Sequence, residues 1–229
     1  MEAIVLAGGF GTRLREMVPD LPKPMASIAG KPFLEILLSD LARKGFKRVV
    51  LSLGYKAEVI TSYFGDRFAG LDIAYAMDDA PLGTGGAVRL GMSQCLGDHV
   101  FIFNGDTFLD LEANAVELLW QKHRHLIIVA REVSDTARYG RLLVESERVS
   151  GFTEKGVSGP GLINAGCYVL GAGQLNAWPL NTPFSLETDY FVRAVKTEPV
   201  DVFETQGLFV DIGVPEDYLR AQTLLAARA

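Results

Sequence analysis

Residues 3–14 (AIVLAGGFGTRL) set a short apolar run directly against a glycine-rich turn. The run at 3–7 carries no polar side chain, which is the pattern of a strand buried on both faces. Such a strand belongs in a parallel or mixed sheet covered by helices. Beyond it, Gly8, Gly9 and Gly11 let the backbone bend tightly and bring amide N–H groups against a ligand. Arg13 offers a planar fork suited to phosphate oxygens, and Lys23 offers a point charge. Pro22 and Pro24 flank Lys23, fix its backbone and so aim its side chain.

Outward from this turn, short apolar runs alternate with amphipathic segments. Phe33, Ile36, Leu37 and Leu41 recur at helical spacing in 32–44, with Pro32 in the first turn and Gly45 as the stop. Residues 48–53 predict a second buried strand and 57–64 a helix. A strand follows at 71–76, a short helix at 86–92, and a strand at 100–103 that runs straight into Asn104-Gly105-Asp106. The second half is richer in strands, expected at 126–131, 141–145, 148–154, 163–170 and 200–204, with helices near 187–196 and 216–227. No repeat, low-complexity tract or linker interrupts the chain. The expected fold is therefore α/β and Rossmann-like: a mixed, mainly parallel sheet with helices on both faces, in one domain over 1–229. Ligands of such sheets bind outside the carboxyl ends of the strands. The loops after Ala7, Ala76 and Phe103 are where chemistry is expected.

Composition narrows the function classes. The 229 residues are 48% hydrophobic and 22% charged, which excludes disorder as the main state. Twenty-two basic and 28 acidic side chains give a net charge of −6, a poor field for nucleic acid. Cys95 and Cys167 sit in apolar surroundings and read as buried thiols. His99, His123 and His125 have no metal-ligand spacing with them. The amino terminus lacks a signal-peptide pattern, and the uncharged stretch 156–186 is too rich in Gly, Pro and Asn to span a membrane. A reducing cytoplasm is the expected location.

The glycine spacing is not GxGxxG, because Leu14 stands where the third glycine would be, and there is no GxxxxGK[ST]. Dinucleotide and P-loop sites are both disfavoured, and with them a nicotinamide-dependent oxidoreductase. Instead, LAGG-x-GTRL at 6–14 with PKPM at 22–25 resembles the signature of the sugar-1-phosphate nucleotidyltransferases. The resemblance continues through 81–87 (PLGTGGA), Asn104-Gly105-Asp106, Tyr139-Gly140, Glu154-Lys155, 164–168 (NAGCY) and 211–215 (DIGVP). It covers nearly the whole chain in the family's order.

The resemblance implies the nucleotide-diphospho-sugar transferase fold, with a nucleotide-binding half at 1–112 and a strand-rich sugar-phosphate half at 113–229. It implies Arg13, Lys23 and Asp106 as catalytic residues. Leu6, Ala7, Gly8, Gly9, Gly11, Thr12, Pro81, Gly83 and Thr84 would hold the nucleotide. Gly140, Glu154, Lys155, Asn164 and Glu187 would hold the sugar phosphate. A helix cap at Ser185 is an equally good reading of the segment around Glu187. Where the family has proline after the lysine, this chain has Gly156. Asp106 and Asp211, each just after an apolar strand, suit Mg²⁺ as a pair, since that hard cation takes a couple of carboxylates plus phosphate oxygens.

Asp78 and Asp79 precede the base-contacting segment of relatives. A carboxylate there accepts both adjacent donors of guanine, which favours GTP. Within the family, 30–35, 54–56, 81–87 and 184–187 resemble the guanylyltransferases that take heptose 1-phosphate for bacterial surface-polysaccharide synthesis. Mannose 1-phosphate enzymes share many of these features. A non-catalytic, nucleotide-sugar-sensing relative would be expected to lose phosphate and metal ligands, and here they are present. The surface helices would support a homodimer.

Overall fold

The computed structural model describes residues 1–229 except Phe10, Thr12, Arg13, Arg15, Glu16, Asp79 and Glu154. Its strands are β1 (Glu2–Leu6), β2 (Ser27–Ile28), β3 (Lys31–Pro32), β4 (Arg48–Leu53), β5 (Arg67–Phe68), β6 (Leu71–Met77) and β7 (His99–Asn104) in the first half. The second half adds β8 (Thr107–Leu109), β9 (Leu126–Val133), β10 (Leu142–Glu145), β11 (Arg148–Phe152), β12 (Gly161–Gly171), β13 (Val200–Thr205) and β14 (Phe209–Asp211). The α-helices are α1 (Phe33–Arg43), α2 (Ala57–Phe64), α3 (Gly83–Met92), α4 (Ala113–His123), α5 (Val192–Thr197) and α6 (Pro215–Leu224).

One ten-stranded sheet runs in the order β10-β11-β13-β9-β12-β7-β1-β4-β6-β5. Strands β7, β1, β4 and β6 form its parallel block. Strand β12 is antiparallel to both β7 and β9, so β9, and β13 paired parallel to it, point the same way as β1. The sheet is thus mixed and mainly parallel.

Alternation along each strand divides the core into two layers. Ala3 and Val5 of β1 face one side with Leu34, Leu37 and Leu41 of α1, Ile60 of α2, and Val116 and Trp120 of α4. Ile4 faces the other side with Val88 and Met92 of α3 and Phe191 and Ala194 around α5. Helices therefore cover both faces, and continuous apolar runs are what strands buried on two sides require. A smaller cluster, including Phe33, Ile36, Phe108, Val210, Ile212, Ala221 and Leu225, seats α6 on the β8–β14 pair.

Several elements depart from the sequence expectation. Helix α4 is absent from it: Val116 and Trp120 are buried while Leu118 is 70% exposed, so its apolar pattern is diluted. Strands β8 and β14 are too short to register as periodic. The helix expected at 187–196 begins instead as a π-helical turn, Leu186–Phe191, before α5. Its start is held by Ser185, whose Oγ accepts from the Thr188 N–H at 3.1 Å and whose N–H donates to Asp189 Oδ2 at 2.7 Å. The short helix expected at 86–92 starts three residues earlier, at Gly83.

Candidate active site

A cleft of about 440 Å³ opens at the carboxyl ends of β1, β4 and β7, the edge the topology favours for ligands. Leu6, Ala7, Gly8, Gly9 and Gly11 line it from the first turn, and Asp78, Pro81, Gly83 and Thr84 from the segment leading into α3. Lys23, Asp106 and Glu187 complete the expected lining residues. Thr12, Arg13, Asp79 and Glu154 lie outside the described residues.

The first glycine turn is tied to its surroundings by backbone hydrogen bonds. Ala7 N–H donates to Ser52 O at 2.9 Å, and Gly105 N–H donates to Leu6 O at 2.9 Å. The second bond brings the Asn104-Gly105-Asp106 turn against the end of β1. Gly11 has φ +59°, and a Cβ there would lie 2.8 Å from Lys23 Cβ. Its smallness admits the Lys23 stem. The Lys23 side chain is only 10% exposed, and its Nζ meets Asp106 Oδ2 at 2.6 Å.

Asp211 reaches the same place from the far end of the sequence. Strands β8 and β14 pair antiparallel with Asp211 opposite Thr107, and Ile212 N–H donates to Asp106 O at 2.9 Å. The Asp211 carboxylate accepts from Gly213 N–H at 2.6 Å. Burial, followed by the nearby Asp106 charge, raises the Asp211 carboxyl above its ordinary value, against the smaller pull of Lys23 and the Gly213 N–H. Two carboxylates thus converge with Lys23 as the one cation that bonds to either among the described residues. Oxygen-only donors with surplus negative charge fit a hard divalent ion such as Mg²⁺.

The segment after β6 owes its shape to Phe184. This ring stacks on Trp178, with centroids 3.9 Å apart, and a Cβ on Gly85 would fall 2.2 Å from it. Gly85 N–H donates to Phe184 O at 2.9 Å. The double glycine therefore seats an aromatic plug that fixes the entry into α3. Thr84 Oγ donates to Glu187 Oε2 at 2.6 Å, and Leu186 N–H donates to Thr84 Oγ1 at 2.9 Å. Ser185 caps the turn, as the capping reading expects, and Glu187 lines the cleft.

Other expected residues stand further off. Asn164 does not line the cleft. Its Oδ1 accepts from Gly166 N–H at 2.9 Å, and its Nδ2 donates to the Tyr168 hydroxyl at 2.9 Å. Tyr168, 1% exposed, donates in turn to Glu187 Oε1 at 3.5 Å, so Asn164 reaches the site through it. Gly140 and Lys155 do not line the cleft; they belong to the segment that joins β9 to β12. There Gly156 N–H donates to Ala137 O at 2.8 Å and Thr153 N–H to Arg141 O at 2.9 Å. Lys155 is exposed. Gly156, with φ +97°, adopts a conformation closed to the family's proline. The lining residues not named as site residues are Pro24, Ser52, Leu82, Ala87, Asn104, Gly105 and Gly213. All but Ser52 lay inside the motif blocks already quoted; the signal at Ser52 was a hydroxyl in the otherwise apolar core of RVVLSL.

Comparison with known proteins agrees with this geometry. D-glycero-alpha-D-manno-heptose 1-phosphate guanylyltransferase of Aneurinibacillus thermoaerophilus is 37% identical over 226 residues, covering 97% of each chain. The protein of the same name from Campylobacter jejuni is 39% identical, over 95% of this chain and 97% of its own. The crystal structure of HddC from Yersinia pseudotuberculosis complexed with GMP-PN superposes with a TM-score of 0.88 at 35% identity, covering 98% and 99% of the two chains. A family model described as nucleotidyl transferase matches residues 2–228. With that match spanning both the glycine turn and the aspartate pair, the chain belongs to the nucleotidyl transferase family.

Proposed function

We propose that this chain transfers a guanylyl group from GTP to D-glycero-α-D-manno-heptose 1-phosphate, releasing pyrophosphate and giving the GDP-sugar for surface-polysaccharide synthesis. An oxygen of the sugar phosphate attacks the α-phosphorus of GTP, and the bond from that phosphorus to the bridging oxygen of the β-phosphate breaks. The attacking group is already anionic, so no side chain need remove a proton. Catalysis is then alignment and neutralisation of charge.

The observation that carries this reading is the convergence of Lys23, Asp106 and Asp211 beside the first glycine turn. In the proposed complex the backbone N–H groups of 8–11 hold phosphate oxygens, and Arg13 and Lys23 neutralise charge at the α-phosphate and on the departing pyrophosphate. Mg²⁺ on Asp106 and Asp211 would supply further positive charge to the phosphate oxygens. Lys155 holds the attacking phosphate, with Glu154 and Gly140 on the sugar side. Glu187, held by Thr84 and Tyr168, accepts from sugar hydroxyls. Asp78 or Asp79 accepts from the Watson–Crick edge of guanine.

The test is a matrix of GTP, ATP, CTP, UTP and dTTP against heptose, mannose and glucose 1-phosphates, with pyrophosphate as the readout. The reading expects GTP with heptose 1-phosphate to lead; mannose 1-phosphate in front would move the sugar assignment, and no turnover with any pair would remove catalysis. Asp78→Asn and Asp79→Asn are expected to cut discrimination for GTP over ATP. Unchanged ratios in both would take these carboxylates away from the base.

A further inference from the structure

A second cluster of ligand-type side chains lies at the opposite edge of the sheet. Strands β9 and β13 run with β1, so their first residues lie at the amino ends of the strands, away from the cleft. There His123 closes α4, His125 precedes β9, and Asp201 is the second residue of β13. Arg124 between the histidines is left-handed (φ 57°, ψ 27°), which ends the helix and turns both imidazoles toward Asp201. His123 Nδ1 lies 2.6 Å from Asp201 Oδ2, and His125 Nδ1 lies 3.3 Å from Asp201 Oδ1. One ligand atom from each residue falls within 4.8 Å of the other two.

We propose that His123, His125 and Asp201 form a binding site for a borderline transition-metal dication of the Zn²⁺ class, distinct from the Asp106–Asp211 pair. The donor chemistry separates the two places. Two imidazoles with one carboxylate suit Zn²⁺ and its neighbours, whereas oxygen-only donors suit Mg²⁺. The three ligand atoms already lie within 4.8 Å of one another. Bonds of roughly 2.0–2.1 Å in a tetrahedron put ligand atoms about 3.3–3.4 Å apart, the spacing that His125 Nδ1 has to Asp201 Oδ1. His123, the last residue of its helix and one-third exposed at the side chain, bonds the other oxygen, Oδ2, and would exchange that hydrogen bond for the ion.

The carboxylate is the fixed member. Asp201 is 4% exposed and anchored in a strand paired with β9, so a buried charge is already committed to this spot. The neighbouring cation is drawn away: Arg124 bonds Asp98 at 2.6 Å and Gln121 at 3.2 Å and lies over the Trp120 ring. Arg148, the register partner of Asp201 on β11, is exposed, and no ion pair joins the two among the described residues. Three protein ligands leave a fourth position for water or a small anion. The bound ion would join the end of α4 to the starts of β9 and β13.

The test is a zinc titration of the metal-stripped full chain in excess Mg²⁺, followed by calorimetry and by the ¹⁵N shifts of the histidine rings. The wild type is expected to take up one Zn²⁺ with ring shifts at His123 and His125, and His123→Gln and His125→Gln each to weaken binding by ~10²-fold, at or beyond the loss seen for supporting groups around metals. Pyrophosphate release in Mg²⁺ is expected to be the same in both variants as in the wild type. Equal zinc affinity in the wild type and both variants, or no shift at either ring, would overturn the site.

Discussion

Strand β8 is three residues long and has an aspartate at each end, and the two aspartates live in opposite electrostatic settings. Asp110, after the strand, is paired with Lys44 and Arg228. Asp40 beside it meets Arg43 at 3.1 Å and Arg228 at 3.3 Å. Burial pushes the Asp110 carboxyl up, but Lys44 and then Arg228 outweigh it, and the net displacement is downward. Asp106, before the strand, shares Lys23 with Asp211, whose carboxyl is pushed upward. Two carboxylates with three cations make a structural lock between the C-terminal segment and α1. Two carboxylates with one bonded lysine among the described residues leave surplus negative charge, and in the proposed reaction a divalent cation would offset it before the phosphates arrive. Position in the strand does not separate the roles; the count of compensating charges does.

The largest expected effect falls on the under-compensated side. Asp106→Asn keeps the side-chain shape but removes the charge, and it is expected to lower turnover at least ~10²-fold, since one such transition-state contact is worth roughly 3 kcal/mol. Pyrophosphate release from the folded variant measures it; a rate near wild type would erase the contrast with Asp110. Lys23→Ala is expected to cost less, about 10- to 100-fold, because backbone N–H groups of the glycine turn share the phosphate charge. The same assay, with thermal unfolding run alongside, separates this from loss of fold.

On the compensated side the expected change is in stability alone. Asp110→Asn should cost about 1 kcal/mol at neutral pH, the scale of a partly exposed ion-pair network, with turnover per folded molecule unchanged. The pH dependence has a definite sign. A carboxyl depressed in the folded state contributes stability above its unfolded value near ~4, and that contribution is lost as pH falls through the folded value. The gap between wild type and Asp110→Asn in denaturant unfolding should therefore close on acidification. A gap constant with pH would mean that packing, not charge, holds this corner.

Much of this arrangement was legible in the sequence, and the parts that were not share a cause. The parallel block β7-β1-β4-β6 and the glycine turn could be read because both depend on local pattern: continuous apolar runs, then small residues. Asp106 and Asp211 stood out through motif blocks, but their meeting rests on β8 and β14, three-residue strands with no periodicity to detect. Helix α4 escaped because its outer face carries Leu118 and its inner face few apolar residues. Asn164 bonds Tyr168, not the cleft, a link made across the β-bulge between them. The His123–His125–Asp201 cluster joins residues 76 positions apart through strand register, and spacing to cysteine was the wrong place to look for it.

The most direct test is Asp211→Asn, read twice. The asparagine oxygen can still accept from Gly213 N–H, while the repulsion with Asp106 disappears. Because the folded state raises this carboxyl, the wild type loses stability as pH climbs through that raised value. At neutral pH the variant should therefore unfold at the same temperature as wild type or slightly above it, while pyrophosphate release falls at least ~10²-fold. A variant that melts lower and keeps its turnover would contradict the account, because the half-buried carboxylate would then belong to the framework and not to the chemistry.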